Sequence, residues 1–202
     1  MDVVDDVILP KNMKLILNFL LKNFTETYNI NQIAGKLNIS VSDTHRVLKK
    51  LDKGGIVKAT KIGSGIFYEL NLENKTASKI AELLLIQRKM NSYAKNYATD
   101  LEPLRKYSKA GVLFGSILYK GEKARDVDVL IVTDKRQVKF IESFCLELSK
   151  RRAKNIQTLL HTEKDLKTNV KERDEVILDV IKNGVVLWGE NIIVEAIKYG
   201  KH

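Results

Sequence analysis

Residues 110–134, AGVLFGSILYKGEKARDVDVLIVTD, constrain the fold of this 202-residue chain more than any other stretch. One apolar run stops at Gly115-Ser116, and a second begins at Asp126-Val127-Asp128. Side chains alternate along a strand, so the two aspartates of a strand starting there share one face. Glycine lets a ligand approach the backbone closely. A helix opening after Ser116 would turn free N–H groups towards a phosphate. Two carboxylates beside such a turn can hold Mg²⁺ against nucleotide phosphates. An isolated Asp-x-Asp is most often a solvated strand end; the glycine, the serine and the flanking apolar runs sharpen the pattern.

The surroundings read as alternating strands and helices. Val112–Phe114 and Val127–Val132 are β-rich, RQVKFIESFCLELSKR is an amphipathic helix, and NIQTLL is a third short strand. Helical segments follow around 163–183, then the run GVVLWG and a C-terminal helix from about Glu190. That alternation predicts a mixed α/β layer. Residues 92–200 resemble the minimal nucleotidyltransferase branch of the DNA polymerase beta superfamily. The resemblance implies that Gly115 and Ser116 bind the triphosphate of an NTP and that Asp126 and Asp128 bind Mg²⁺ as the catalytic pair. Active members of that family carry a third acidic residue on a following strand. The matching strand here, KNIQTLLHT, has no carboxylate, and Gln157 stands near the expected place. Asp165 or Glu163 could substitute only through a shift of the next segment. Arg125 precedes the first aspartate, and Lys120-Gly121 stands where the family has Arg-Gly. Arg125 could oppose a cation by pairing with Asp126, or could hold a triphosphate.

The N-terminal region has a different rhythm. Met13, Ile16, Leu17, Leu20 and Phe24 fall at helical spacing, and further helices are expected over Asn31–Leu37 and Val41–Leu51, with Ser40 as N-cap of the last. IVKATKIGSGIFYELNL then reads as two strands around a Gly63-Ser64-Gly65 turn. Three helices followed by a hairpin resemble a winged helix-turn-helix domain over residues 10–73. On its third helix Val41, Thr44, Val47, Leu48 and Leu51 form the expected inward face. Ser42, Asp43, His45, Arg46, Lys49 and Lys50 remain outside. A recognition helix needs this division, one side packed and the other offered to base edges and phosphates. Lys58 and Lys61 flank the wing. Between Asn31 and Gly65 seven Lys/Arg face two Asp. The resemblance implies double-stranded DNA as partner, with Ser42, His45, Arg46, Lys49, Lys50 and Lys61 as contacts; the competing reading is a protein-interaction module with a solvated basic surface.

The formal net charge of +10 favours an acidic partner such as nucleic acid. One cysteine excludes an internal disulfide and fits a reducing compartment. No apolar run is long enough to span a bilayer, which takes about 20 residues. A cytoplasmic protein with no membrane partner is expected. Ile80, Leu83, Leu84 and Ile86 make one helical turn apolar almost all round, suited to burial on two sides, as in a homodimer contact or a connecting helix. The whole therefore reads as α+β, with a winged helix-turn-helix over 1–74, a helical linker over 75–108 and a nucleotidyltransferase-like domain with a small central sheet over 109–202. Two functions follow: a DNA-binding transcriptional regulator carrying an NTP- and Mg²⁺-binding domain with impaired catalysis, or an active transferase moving a nucleoside monophosphate to a protein, nucleic-acid or small-molecule acceptor, as antitoxin-like members do.

Overall fold

The computed structural model describes residues 9–86 and 89–201. The chain divides into two compact units between Gln87 and Arg88. The segment read as a linker is thereby shared, its first helix falling in the first unit and its second helix in the second.

The first unit opens with α1 (Lys11–Lys22), which buries Met13, Ile16, Leu17, Leu20 and Leu21. After the two-residue strand β1 (Tyr28–Asn29) come α2 (Ile30–Leu37) and α3 (Val41–Lys53). Each start is fixed by side-chain capping. Asn29 and Gln32 form a reciprocal capping box on α2, and the Ser40 hydroxyl accepts from the Asp43 N–H at the head of α3. Asn38, in the left-handed conformation, ends α2 and sets the turn into α3. The hairpin of β2 (Val57–Ile62) and β3 (Gly65–Leu70) is antiparallel, with Ile62 opposite Gly65 across the turn. Strand order β1-β3-β2 leaves β2 at an edge. Three helices and this small sheet make a winged helix-turn-helix. The unit closes with α4 (Lys75–Ile86), which buries Ala77, Ala81, Leu84 and Leu85 but leaves Ile86 exposed.

One expectation about α3 fails. Thr44, Leu48 and Leu51 are buried as predicted, whereas Val41 is 52% exposed. Val41 is the first residue of the helix, one turn ahead of Thr44, where the buried stripe begins.

In the second unit α5 (Ser92–Leu101) runs into a 3₁₀ turn over Glu102–Lys106 with Pro103 near its start. Strands β4 (Ala110–Phe114), β5 (Asp126–Val132), β6 (Asn155–His161) and β7 (Val185–Trp188) form one mixed sheet of order β6-β5-β4-β7. β4 is antiparallel to both neighbours, and β5 pairs with β6 in parallel. A parallel pair needs a crossover, supplied by α7 (Val138–Arg152), which buries Ile141, Cys145 and Leu148 against the sheet. The basic end of α7 is partly occupied: Arg152 pairs with Asp100, and Lys154, just beyond it, donates to the Glu122 and Ala124 carbonyls. Helices α8 (Glu163–Lys171), α9 (Glu175–Asn183) and α10 (Glu190–Gly200) complete the unit. Trp188 lies in the core, its indole N–H donating to the Ser108 hydroxyl at 3.1 Å. β5 is buried on both faces from Val129 to Val132 and only half-buried at Asp126 and Asp128. The start of β5 and the neighbouring edge strand β6, where Asn155 and Gln157 are exposed, are the open part of the sheet, and the aspartates lie there.

Candidate nucleic-acid interface and a paired-aspartate site

On α3 the buried stripe of Thr44, Leu48 and Leu51 turns Ser42, His45, Arg46, Lys49 and Lys50 outward, all exposed. Asp43 is half-buried, because it serves the helix start. It meets the Ser40 hydroxyl at 3.0 Å and the Arg46 guanidinium at 2.5 Å. The Arg46 and Ser40 hydrogen bonds hold its carboxyl below the usual carboxylate range. An exposed pair of this kind adds little stability, so Arg46 can exchange Asp43 for another anion at small cost. Lys49 and Lys50 pair with no acid among the described residues. The wing continues the same surface: on β2 only Val57 is buried, and Lys58 and Lys61 are exposed on the edge strand. Every proposed DNA-contacting residue therefore sits in the first unit with its side chain open to solvent.

The second site is built by backbone. At the end of β4, Gly115 has φ +75°, and a Cβ placed there would overlap the Asp128 Oδ2. Glycine is required at this position to make room for an aspartate, not only for an incoming phosphate. The helix expected after Ser116 is a single turn, α6 (Ile117–Lys120). So short a helix carries little dipole, and the expectation of a helix-tip phosphate cradle loses that support. Asn91 donates to the Ile117 and Leu118 carbonyls at 2.9 and 3.0 Å, and Lys154 braces the far side of the loop. Neither residue announces this role in sequence, because each lies about 30 positions from what it holds and only the folded chain brings them together.

Asp126 and Asp128 face the same way, alternating with the buried Val127 and Val129. Burial, and then the neighbouring Asp126 charge, push the Asp128 carboxyl above the usual range. Arg125 is exposed and pairs with neither of them. Gln157 lies directly across from Asp128 in the β5–β6 register, and its amide donates to Asp126 Oδ2 at 2.9 Å. A neutral amide thus stands beside the pair, where the resemblance led a third carboxylate to be sought. Neither acid considered as a substitute is near. His161 pairs with Val132 at the opposite end of β5, and the chain turns into α8 only after it. There Asp165 caps α8 through Thr162, and Glu163 pairs with Lys109 at 2.7 Å. Among the described residues no three His, Cys, Asp or Glu side chains gather as a metal site. Two half-buried carboxylates with no cationic partner still fit a cation whose remaining ligands come from elsewhere. His161 itself is structural: its Nε2 meets Asn169 Nδ2 at 2.7 Å, and burial lowers its pKa.

No protein-family model matches the chain, and no curated protein matches it in sequence. Solved structures give weak matches. ZitR from Lactococcus lactis, a zinc-responsive MarR family member, is 18% identical with a TM-score of 0.32, covering 72% of this chain and 78% of that one. The adhesin competence repressor AdcR from Streptococcus pyogenes is 14% identical with a TM-score of 0.35, covering 73% and 85%. Scores and identities this low carry no argument about this chain. Its winged-helix topology stands on its own elements, and no helix among the described residues is long and apolar enough to cross a membrane.

Proposed function

We propose that this protein is a DNA-binding transcriptional regulator that lays α3 in the major groove and its β2–β3 wing against the flanking backbone. One observation carries the reading: α3 buries Thr44, Leu48 and Leu51 while turning Arg46, Lys49 and Lys50 outward to solvent. Ser42, His45 and Arg46, towards the front of the helix, would meet base edges, and Lys49, Lys50 and Lys61 would meet phosphates. Two copies acting as a homodimer would read two half-sites. Selection from a randomised duplex pool followed by gel-shift titration tests this. A recovered motif whose affinity falls in Arg46→Ala supports it; uniform weak binding to every duplex, unaltered in that variant, contradicts it.

A second reading applies to the other unit, and the two half-buried carboxylates on one face of β5 favour it. We infer that this unit binds a nucleoside triphosphate with Mg²⁺ as sensor or assembly platform, Ser116 and the Gly115 backbone meeting phosphate and Asp126 and Asp128 holding the ion. Mg²⁺ would supply charge neutralisation to the phosphates. Gln157 cannot accept a proton, so the transferase chemistry of the resembled family lacks its base here; losing a general base costs about 10²–10⁴-fold in rate. Calorimetry with ATP, CTP, GTP and UTP, with and without Mg²⁺, tests the binding. Label transfer to an acceptor, lost in Asp126→Ala, would instead favour the active enzyme.

A further inference from the structure

The first unit contains a cavity of about 400 Å³ that none of the sequence motifs explains. It lies between the start of α1 and one flank of α3. Lys11, Arg46 and Lys50 supply its charge; Pro10, Met13 and Val47 supply its apolar wall. Met13 is 9% exposed and Val47 half-buried, so the wall belongs to the packed unit. Lys11 and Lys50 pair with no acid among the described residues, and the only acid bonded to Arg46 is Asp43. Among the described residues the cavity therefore carries an excess of positive charge over an apolar floor.

We propose that this cavity is a binding site for a small organic anion with a compact apolar body. Its volume lies within the roughly 300–1,000 Å³ of small-molecule sites. A bare inorganic anion would satisfy the cations and leave Met13 and Val47 uncovered. A neutral apolar molecule would cover those side chains and strip water from Lys11 and Lys50 without replacing it. Only a molecule with both parts uses the whole lining, to which Asn12 adds a polar side chain. Arg46 and Lys50 also belong to the surface assigned to DNA. An occupant would neutralise both cations, so anion and duplex exclude each other and the ligand releases the protein from its operator. That consequence rests on the DNA-binding reading; the site itself does not.

The test uses the full chain and two matched fluorescent probes, anilinonaphthalene sulfonate and its uncharged counterpart N-phenylnaphthylamine. The sulfonate is expected to bind more tightly than the uncharged probe. Lys11→Gln and Lys50→Gln should each weaken the sulfonate about three- to fivefold, the effect of removing one exposed ion pair, without altering the uncharged probe. Lys139→Gln, on α7 of the other unit, should change nothing. Unchanged sulfonate affinity in both cavity variants overturns the location. Inorganic phosphate displacing the probe as well as benzoate does overturns the amphipathic ligand. Saturating sulfonate should then weaken the affinity for the selected duplex. Lys11→Gln, which lies outside the assigned DNA contacts, should need three- to fivefold more sulfonate for the same effect. Simultaneous binding of probe and duplex overturns the release mechanism. If no duplex is recovered at all, the first titration still decides the site, so the two failures remain distinct.

Discussion

Lys49 and Asp128 each follow a fully buried aliphatic residue, Leu48 and Val127, yet the two charges meet opposite conditions. Lys49 projects from a helix into solvent and touches no acid among the described residues. Asp128 is half-buried against Gly115, beside a second carboxylate, with its carboxyl pushed above the usual range. An open row of cations costs the fold almost nothing and suits a large polyanion that supplies the burial itself. A crowded pair of acids works against the fold and suits a compact cation. Binding by the first unit should therefore be separable from stability, whereas in the second unit site and stability are entangled.

Glycine substitutions probe that contrast most strongly. Gly115→Ala adds a methyl group against the Asp128 carboxylate at a positive φ, and a loss of about 2–4 kcal/mol is expected by thermal or urea unfolding. Gly63→Ala, also at positive φ but with open space around it, should cost about 1 kcal/mol and leave the wing in place. Equal losses at both positions would mean that the Asp128 contact is not what requires Gly115.

The next effect is on binding alone. Arg46→Ala with Lys49→Ala should weaken duplex affinity by about 2–3 kcal/mol in a gel-shift titration, with an unfolding midpoint within roughly 0.5 kcal/mol of the parent. Asp126→Asn should leave duplex affinity unchanged. Gln157→Asp adds a third carboxylate beside the pair, so Mg²⁺ affinity by calorimetry should rise about tenfold, or about 1.4 kcal/mol. No change would place the Gln157 side chain outside the ion's reach.

The smallest effect concerns pH. Because folding raises the Asp128 pKa, the folded chain holds that proton to higher pH than the unfolded chain does. Stability from this group is present below the usual carboxylate range and is lost as pH rises through the shifted value. Asp128→Asn should therefore raise the melting point slightly near neutrality, by a few tenths of a kcal/mol given the screening of a half-exposed pair, and the gain should vanish in acid. His161 acts in the opposite sense: burial lowers its pKa, so its contribution to stability is lost as pH falls below the ordinary histidine value.

Much of this was legible in sequence because it is local. The helical spacing of Ile16, Leu17 and Leu20, the Ser40 cap and the alternation at Asp126-Val127-Asp128 each depend on neighbours a few residues away. Gln157 could be placed near the aspartates only through the resemblance, which matches KNIQTLLHT to the strand expected to carry a third acid. Its hydrogen bond to Asp126 depends on the β5–β6 register, which no short-range pattern encodes. The same holds for Asn91 and Lys154, whose partners lie a strand or a helix away, and for the cavity at Lys11 and Lys50, formed where two helices approach. Val41 misled because helical periodicity says which side a residue faces but not whether anything reaches far enough along the helix to cover it.

The most direct test of α3 as a DNA-reading element is the salt dependence of affinity for a selected duplex. A steep linear fall of log affinity with log salt is expected, and its slope should drop by about one when Lys49, assigned to a phosphate, becomes alanine. An affinity indifferent to salt, with Lys49→Ala indistinguishable from the parent, would contradict the account and return α3 to the role of a solvated surface helix.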